Sequence, residues 1–234
     1  KGGAHGDFHL IVLAPNSVQE MHDFVADAFD LAFKYRNPAM ILADGCIGQM
    51  MEKVVLAPQR PRKTKEEIAA ECKSWALIGK TDDRERNVIT SLELKSEVME
   101  VNNQRLQAKY ATICENEVRY EAIQCDDADY VIVAFGSSSR ICSATVEMAR
   151  AEGIKLGLLR PITLYPFPSK AIAALAERGV KGFLAAELNA GQMVEDVRLA
   201  VNGKAPVEHY GRLGGMLFSP DEVLKAVKEK LINR

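Results

Sequence analysis

The sequence of 234 residues is 47% hydrophobic and 26% charged, which excludes disordered, collagen-like and coiled-coil chains and predicts a folded protein with room for two units. Thirty Lys and Arg nearly balance 32 Asp and Glu, so the chain has no strong field for nucleic acid or anionic lipid. Its longest apolar runs are far shorter than the roughly 20 residues needed to cross a bilayer, which predicts that no membrane span is present.

The first predicted unit, residues 1–57, begins with a strand and a helix. Residues 8–13 are rich in branched and aromatic side chains, which favours a strand. Ser17 and Glu20 have the spacing of a capping box, which predicts that a helix begins there. The apolar residues of this helix recur at the three-and-four spacing of one buried stripe: Val18, Met21, Val25, Ala28, Phe29, Ala32 and Tyr35.

Asn37 and Pro38 end this helix, and residues 39–43 return as a second apolar strand. A strand, a crossover helix and a strand form half of a parallel α/β layer. They are incomplete by themselves, because one helix cannot cover both faces of a parallel sheet. We therefore expect further strands upstream of Lys1 or on a partner. The chain also begins without Met, as expected for part of a longer protein.

Residues 58–126 have the composition of a connector. Residues 59–67 are charged and interrupted by proline, as in a solvated segment. Residues 96–121 carry spaced apolar side chains among many charges, and Glu115 lies four residues before Arg119, as in a helical ion pair. This stretch predicts one long amphipathic helix.

The second unit, residues 127–234, alternates regularly between strands and helices. The predicted strands are 130–135, 154–159 and 182–186. A helix is predicted to follow the turn at residues 136–140 and to end at Gly153, and further helices are predicted over 169–178, 192–201 and 220–231. Ser219, Pro220 and Glu222 combine a cap, a first-turn proline and a capping-box glutamate. Strands separated by helices of this length predict right-handed crossovers and a parallel three-layer sandwich.

The cysteines lack the close spacing that structural zinc or iron–sulfur clusters need; they are Cys46, Cys72, Cys114, Cys125 and Cys142. An odd number without a secretion signal predicts reduced thiols and a cytoplasmic location. Cys142 follows a predicted helix start, where the helix dipole could lower its pKa, but a small buried apolar residue is the favoured interpretation.

The turn from Gly136 to Arg140 joins a strand to a helix, an arrangement that can gather backbone N–H groups around a phosphate. It lacks the three glycines of a dinucleotide fingerprint and the lysine of a P-loop. A purely structural turn is therefore favoured over a phosphate cradle.

Polar residues Glu187, Asn189, Gln192, Glu195 and Asp196 follow another strand end, where sites form in open α/β sheets. Acidic groups at that place also stabilise a helix N-terminus without any ligand, so both interpretations stay open. No nucleophile elbow is present, and no histidine and carboxylate pair can be assigned to a serine.

Residues 2–7 could let a ligand approach the backbone, with His5 and Asp7 as polar contacts, or could form an ordinary loop. His5 and His9 are four residues apart, but the histidines show no other spacing typical of a metal site, so no metal is predicted.

Several sequence segments resemble one protein family. Residues 11–20 and 35–45 resemble the pyrimidine-side domain of 2-oxoacid:ferredoxin oxidoreductase alpha subunits. Residues 159–168 and 187–193 are similar to the next domain of that family, which itself resembles the carboxy-terminal domain of transketolases. Residues 211–215 also resemble the family, and all these segments follow one another in the same order as in the family.

Within the family, the opening stretch and residues 48–52 are most similar to the 2-ketoisovalerate branch. The resemblance implies an α/β fold: part of a parallel-sheet pyrimidine-type domain, then a complete transketolase C-terminal-like three-layer αβα domain. It also implies oxidative decarboxylation of 2-oxo acids to acyl-CoA with reduction of ferredoxin. Branches that act on 2-oxoglutarate or pyruvate are the alternatives.

The resemblance implies thiamine diphosphate and Mg in the whole enzyme, with iron–sulfur clusters on other subunits or domains. The implied partners are a thiamine-diphosphate-binding beta subunit, a gamma subunit and a ferredoxin-like subunit, with ferredoxin and coenzyme A as co-substrates. No cofactor is expected to bind to this stretch by itself.

No catalytic residue is predicted, because the family's pyrimidine-contacting residues lie ahead of the point that corresponds to Lys1. Residues 43–45 only approximate the Gly-Asp-Gly motif for diphosphate and Mg. Asp44, Gly45 and Gln49 are expected to border the cofactor or a partner subunit. The chain is expected to be inactive alone and to serve assembly and subunit contact; a stand-alone nucleotide-binding module and a purely structural subunit are the rival hypotheses.

Overall fold

The computed structural model describes residue 2, residues 6–59 and residues 61–233. The strands are β1 (Ile11–Leu13), β2 (Ala39–Ile41), β3 (Tyr120–Ile123), β4 (Tyr130–Val133), β5 (Leu156–Pro161), β6 (Thr163–Tyr165), β7 (Gly182–Glu187) and β8 (Val207–Gly211). The helices are α1 (Val18–Tyr35), α2 (Lys65–Cys72), α3 (Ser96–Asn116), α4 (Gly136–Ala151), α5 (Ser169–Glu177), α6 (Met193–Val201) and α7 (Pro220–Val227). A 3-10 turn spans Ile47–Gln49, and a π-helical turn spans Lys228–Ile232.

The chain divides into two compact units: Lys1–Val55 together with Lys109–Arg234, and Leu56–Ala108. The first contains both sheets. In the second, Thr64 and Glu67 form a capping box at the start of α2. The domain boundaries predicted after residues 57 and 126 stay a prediction.

The smaller sheet has the order β2-β1-β6. β1 and β2 pair in parallel, with Val12 opposite Met40, as the sequence predicts. The third strand comes from within the chain, because Val12 also pairs with Tyr165 in the antiparallel sense and the N–H of Ala14 donates to the carbonyl of Ile162 at 2.7 Å. The expectation that any further strand would come from upstream of Lys1 or a partner was therefore wrong for this edge.

The larger sheet has the order β3-β5-β4-β7-β8. β5, β4, β7 and β8 are parallel, and β3 is an antiparallel edge. One face packs against α4 and α7 around Leu156, Leu184 and Val223. The other packs against α5 and α6 around Phe183 and Val197, which confirms the predicted three layers.

The helix predicted over residues 96–121 ends at Asn116, and residues 120–123 form β3 instead. Backbone pairing with β5 outweighs the local helical pattern: the N–H groups of Ile162 and Thr163 donate to the carbonyl of Arg119 at 2.9 and 3.0 Å. The predicted ion pair between Glu115 and Arg119 does not form, because the guanidinium of Arg119 binds Asp27 at 2.6 Å.

The buried stripe predicted for α1 was wrong in part. Val25 and Phe29 are 48% and 64% exposed, and Phe33 is 53% exposed, whereas Phe24 and Leu31 are buried. These exposed side chains lie four residues apart and therefore form one apolar row on the outer face of α1.

Contacts with the segment between α3 and β3 hold α1 in this rotation. Besides the pair of Asp27 and Arg119, Lys34 and the hydroxyl of Tyr35 each donate to Glu117 at 2.6 Å. Although burial raises the pKa of Glu117, hydrogen bonds from Lys34 and Tyr35 bring it below its usual value.

A buried arginine joins the two sheets. Arg160, on β5, is 1% exposed, and its guanidinium donates to Glu20 of α1, to Glu121 of β3 and to the carbonyl of Ala14. The predicted cap of α1 is present, since the hydroxyl of Ser17 accepts the N–H of Glu20 at 3.1 Å. Glu20 thus belongs to both the helix cap and the contact between the sheets.

Among the described residues, none of the helices is both long and apolar enough to cross a bilayer.

Candidate functional site

Asp44 follows β2 and lies against the first turn of α4. Its Oδ2 accepts the backbone N–H of Ser137 at 2.8 Å, and its Oδ1 accepts the Ser137 hydroxyl at 2.7 Å. Oδ1 also accepts the N–H groups of Cys46 and Ile47, both at 3.0 Å. One carboxylate therefore closes its own loop and caps a helix 93 residues further along the chain.

These donors keep Asp44 ionised. Partial burial raises the pKa of Asp44, but hydrogen bonds from Ile47, Ser137 and Cys46 outweigh it and bring the pKa below its usual value. The positive end of the α4 dipole favours the negative carboxylate in the same direction.

Gly136 is the residue that lets Asp44 approach α4. Its φ is +58°, and a Cβ at this position would lie 2.9 Å from Oδ2 of Asp44. The N–H group that would bind a phosphate at this turn binds the chain's own carboxylate instead. The geometry therefore supports the structural interpretation of Gly136 to Arg140 over the phosphate cradle.

Glu52 makes a second contact with α4. Its Oε1 accepts Nη2 of Arg140 at 2.7 Å, and its Oε2 accepts the N–H of Val18 at 3.1 Å. Nη1 of Arg140 also donates to the carbonyl of Asn16 at 3.1 Å. Hydrogen bonds from Val18 and Arg140 lower the pKa of Glu52.

Residues 44–52 are thus held at both ends by α4, through Ser137 and Arg140, and we name them the clamped loop. The pattern of residues did not predict Ser137 and Arg140 as partners of this loop, nor Glu52 as the residue that holds its second end. The only available signals were an aspartate and a glycine that each directly follow a strand end, and these do not identify each other across such a separation.

Between its ends the clamped loop is largely open to solvent. Ile47 is buried and anchors the 3-10 turn, whereas Gly45, Gly48 and Gln49 are exposed. The predicted site residues therefore divide into an internal contact, Asp44, and exposed positions, Gly45 and Gln49.

A cavity of about 410 Å³ lies elsewhere at the carboxyl ends of the strands. Its polar wall contains Glu187, Asn189 and Gln192, with Glu195 and Asp196 from the first turn of α6. The lining also includes apolar side chains, namely Leu10, Val12, Met40, Leu42 and Phe135. The structure thus brings together the polar residues that the sequence predicted at this strand end.

Glu187 is used to cap α6. Its carboxylate accepts the N–H groups of Gln192, Met193 and Val194 at 3.2, 2.8 and 2.9 Å. Nε2 of His209 is 4.0 Å from Oε1 of the same carboxylate. These contacts support the helix-capping interpretation of Glu187, which has its acceptor atoms engaged within the chain.

Cys142 is fully buried, and burial raises the pKa of its thiol. The favoured interpretation of Cys142 as a small buried apolar residue is therefore confirmed, and the helix dipole does not lower its pKa. Burial also raises the pKa of Cys125 to about 11. Cys114 is exposed, and its thiol lies 3.6 Å from the hydroxyl of Tyr165.

Within residue 2, residues 6–59 and residues 61–233, no three His, Cys, Asp or Glu side chains are arranged to hold a metal ion. His5 lies outside the described residues. His9 stacks on Tyr165 with ring centroids 4.4 Å apart, as a packing residue does.

Comparison with known families gives two matches that cover most of the chain. Residues 4–119 match the family described as pyruvate flavodoxin/ferredoxin oxidoreductase, thiamine diphosphate-binding. Residues 128–223 match the family described as pyruvate:ferredoxin oxidoreductase core domain II.

Curated relatives are similar over nearly the whole chain. Ketoisovalerate oxidoreductase subunit VorB of Methanothermobacter marburgensis is 48% identical over 98% of this chain and 62% of the relative. The 2-oxoglutarate synthase subunit KorA of the same organism is 33% identical over 96% of this chain and 65% of the relative. The chain therefore spans somewhat less than two thirds of the length of these relatives.

Solved structures share the fold. The 2-oxoglutarate:ferredoxin oxidoreductase from Magnetococcus marinus superposes with a TM-score of 0.74 and 20% identity, over 96% of this chain and 43% of that chain. An inactive split-gene transketolase tetramer superposes with a TM-score of 0.52 and 14% identity, over 94% of this chain and 56% of that one.

Proposed function

Because the chain belongs to the 2-oxoacid:ferredoxin oxidoreductase family, we propose that it forms part of an alpha-type subunit of an enzyme that oxidises 2-oxo acids. In this proposal the whole enzyme converts a 2-oxo acid and coenzyme A to acyl-CoA and carbon dioxide, and ferredoxin accepts the electrons. The observation that carries the proposal is the 48% identity to a ketoisovalerate oxidoreductase subunit over nearly the entire chain.

The proposed substrate is 2-ketoisovalerate. Identity to the VorB subunit is 48%, whereas identity to KorA of the same organism is 33%. This difference favours the branched-chain substrate over 2-oxoglutarate, and pyruvate remains the third candidate.

Thiamine diphosphate is the cofactor that the family implies, but the described residues do not fit its diphosphate and Mg. The α4 turn, which has the shape of a phosphate site, is filled by the carboxylate of Asp44. A diphosphate at the same place would meet an ionised group that four hydrogen bonds hold there. We derive no catalytic step through this cofactor and propose that other parts of the enzyme bind its diphosphate and Mg.

The same contact weighs against the rival hypothesis of a stand-alone nucleotide-binding module, because that module would need the Gly136 turn for phosphate. We propose that residues 127–234 serve mainly assembly, since the acceptor atoms of Glu187 are engaged in capping α6. Beta, gamma and ferredoxin-like subunits, iron–sulfur clusters outside this chain and a cytoplasmic location belong to the proposal as well.

The test is reconstitution of the enzyme. The complete gene product is produced with the other subunits, and reduction of ferredoxin is measured anaerobically with coenzyme A and thiamine diphosphate. We expect a higher kcat/KM for 2-ketoisovalerate than for 2-oxoglutarate or pyruvate. Absence of 2-oxo acid oxidation by the assembled subunits would refute the proposal.

A further inference from the structure

His209 is a largely buried titratable side chain that the proposed function does not use. It lies on β8, its side chain is 23% exposed, and its Nε2 is buried without a hydrogen-bond partner among the described residues. Two glycines make room for the ring: a Cβ at Gly211 would lie 2.8 Å from its Cε1, and a Cβ at Gly191 would lie 3.6 Å from its Cδ2. The imidazole is therefore held in a defined position, with one nitrogen turned away from solvent.

Glu187 is the charged residue that faces this nitrogen. His209 pairs with Ala185 across β7 and β8, and side chains two residues apart on a strand share one face of the sheet, so Glu187 lies next along that face. The Glu187 side chain is 1% exposed, and its Oε1 is 4.0 Å from Nε2 of His209.

The other charged or titratable residues that the structure describes around β8 are placed differently. Glu208 and Tyr210 alternate with the histidine along the strand and therefore lie on the opposite face of the sheet. The charged residues beside the two ends of the strand are paired elsewhere, Lys204 with Glu177 and Arg212 with Glu222. On α6 the side chains packed on the sheet are apolar, and the charged ones lie outside that buried cluster: Glu195, Asp196 and Arg198.

Uptake of a proton would turn the contact with Glu187 into a hydrogen bond. A neutral imidazole gains little at 4.0 Å, which exceeds hydrogen-bond distance, whereas an imidazolium directs an N–H group and a positive charge at the carboxylate. Oε1 accepts one N–H group, that of Val194, and can accept a second. Histidine is the side chain that changes its charge between about pH 5 and 8.

The same carboxylate controls a turn of the backbone. It accepts the N–H groups of residues 192–194 and so holds residues 188–192 against the start of α6. Asn189 and Gln192 of this turn line the cavity of about 410 Å³. A further donor on the carboxylate would hold the turn more firmly, which links the charge of His209 to the wall of the cavity.

We propose that His209 and Glu187 form a proton-operated latch. At about pH 5.5 the protonated imidazole donates from Nε2 to Oε1 of Glu187 and fastens residues 188–192 to β8, whereas at about pH 8 the imidazole is neutral and the cap of α6 alone holds the turn. Because the folded chain binds this proton more tightly than the unfolded chain, the stabilisation is present at low pH and is lost as the pH rises. The latch belongs to the chain itself and does not depend on the proposed function.

The test compares the complete gene product with its variant His209→Gln, which keeps a polar side chain but cannot take up the proton. His22→Gln is the control, because His22 is partly exposed on α1 and pairs there with Asp23. Amide hydrogen exchange of residues 188–194 is measured at about pH 5.5 and about pH 8, and the protection factors are corrected for the intrinsic effect of pH. NMR of isotope-labelled histidine follows the charge of the His209 ring in the wild type.

We expect the corrected protection of residues 188–194 to be about tenfold higher at the lower pH in the wild type and in His22→Gln. This increase should be absent in His209→Gln. Equal protection at the two pH values in the wild type would overturn the inference, as would an undiminished increase in His209→Gln or a His209 ring that stays neutral at the lower pH. Since the charge of the ring is measured in the wild type, the test remains decisive even where His209→Gln does not fold.

Discussion

The carboxylate of Asp44 and the N-terminal turn of α4 at Ser137 are bound to each other by both the backbone N–H and the hydroxyl of the serine, at 2.8 and 2.7 Å. This contact connects a loop of the smaller sheet to a helix of the larger one. It also supplies, from within the chain, the anion that a strand-to-helix turn of this kind can bind.

Replacement of Asp44 by Asn should destabilise the protein by about 2 kcal/mol, because a charged acceptor of four donors is lost and the new amide N–H group faces donors. Urea unfolding measures the change. Asp126→Asn, at an exposed position, is the control and should change the free energy of unfolding much less. Equal effects of the two substitutions would contradict the assigned role of Asp44.

The contribution of Asp44 should depend on pH in one direction. Since the folded-state pKa of Asp44 is lower than its value in the unfolded chain, about 3.9, its stabilisation is complete above that value and is lost as the pH falls through the folded-state pKa. The difference in unfolding free energy between wild type and Asp44→Asn should therefore be constant near neutral pH and shrink below about pH 4. Urea midpoints of both proteins across this range provide the test, and a difference that grows on acidification would refute it.

Gly136→Ala should cost more than Gly153→Ala. Both glycines have positive φ, +58° and +81°, but only the Cβ at 136 would meet Asp44, whereas nothing lies within 4 Å of a Cβ at 153. The shared backbone strain is worth about 1–2 kcal/mol, and the clash at position 136 should add about 1 kcal/mol or more. Unfolding free energies of the two variants separate these contributions; a larger loss at position 153 would be inconsistent with the contact.

Arg140→Gln should loosen the clamped loop with little effect on global stability, because the pair of Arg140 and Glu52 is largely at the surface. We expect faster amide hydrogen exchange in residues 45–51. Lys204→Gln removes a comparable exposed pair with Glu177 and should leave exchange in this loop unchanged. Unaltered exchange in Arg140→Gln would show that Asp44 alone holds the loop.

The two acidic partners of Arg160 should contribute differently to the free energy of unfolding. Glu20 is 21% exposed and Glu121 is 47% exposed, so Glu20→Gln leaves more uncompensated charge in a buried site. We expect about 3 kcal/mol of destabilisation for Glu20→Gln and less than about 1 kcal/mol for Glu121→Gln. Chemical unfolding of the two variants checks this order, and the reverse order would place the main partner of Arg160 on β3.

Local signals predicted much of the fold. The cap at Ser219 is present as a complete capping box, and the strands and helices of residues 130–231 lie close to their predicted positions because glycine, proline and capping residues mark them. The strands β6 and β8 were not predicted. β6 spans Thr163–Tyr165, and its partner β1 lies about 150 residues earlier in the chain, so only tertiary pairing defines it.

The candidate site was predictable only in part. The family resemblance, together with a position after a strand end, singled out Asp44, but the role of its carboxylate depends on Ser137, which no local pattern connects with it. The rotation of α1 was missed for a similar reason, since ion pairs with Arg119 and Glu117 decide which apolar side chains of the helix stay exposed.

The contact between Asp44 and the N–H of Cys46 places a native thiol inside the clamped loop. Cys46 is half-buried, whereas Cys72, Cys125 and Cys142 are buried and Cys114 is exposed. Modification by a thiol reagent should therefore proceed in stages, with Cys114 labelled first. The rate at Cys46 then reports how often the loop leaves α4, so the protein carries its own kinetic probe of this contact.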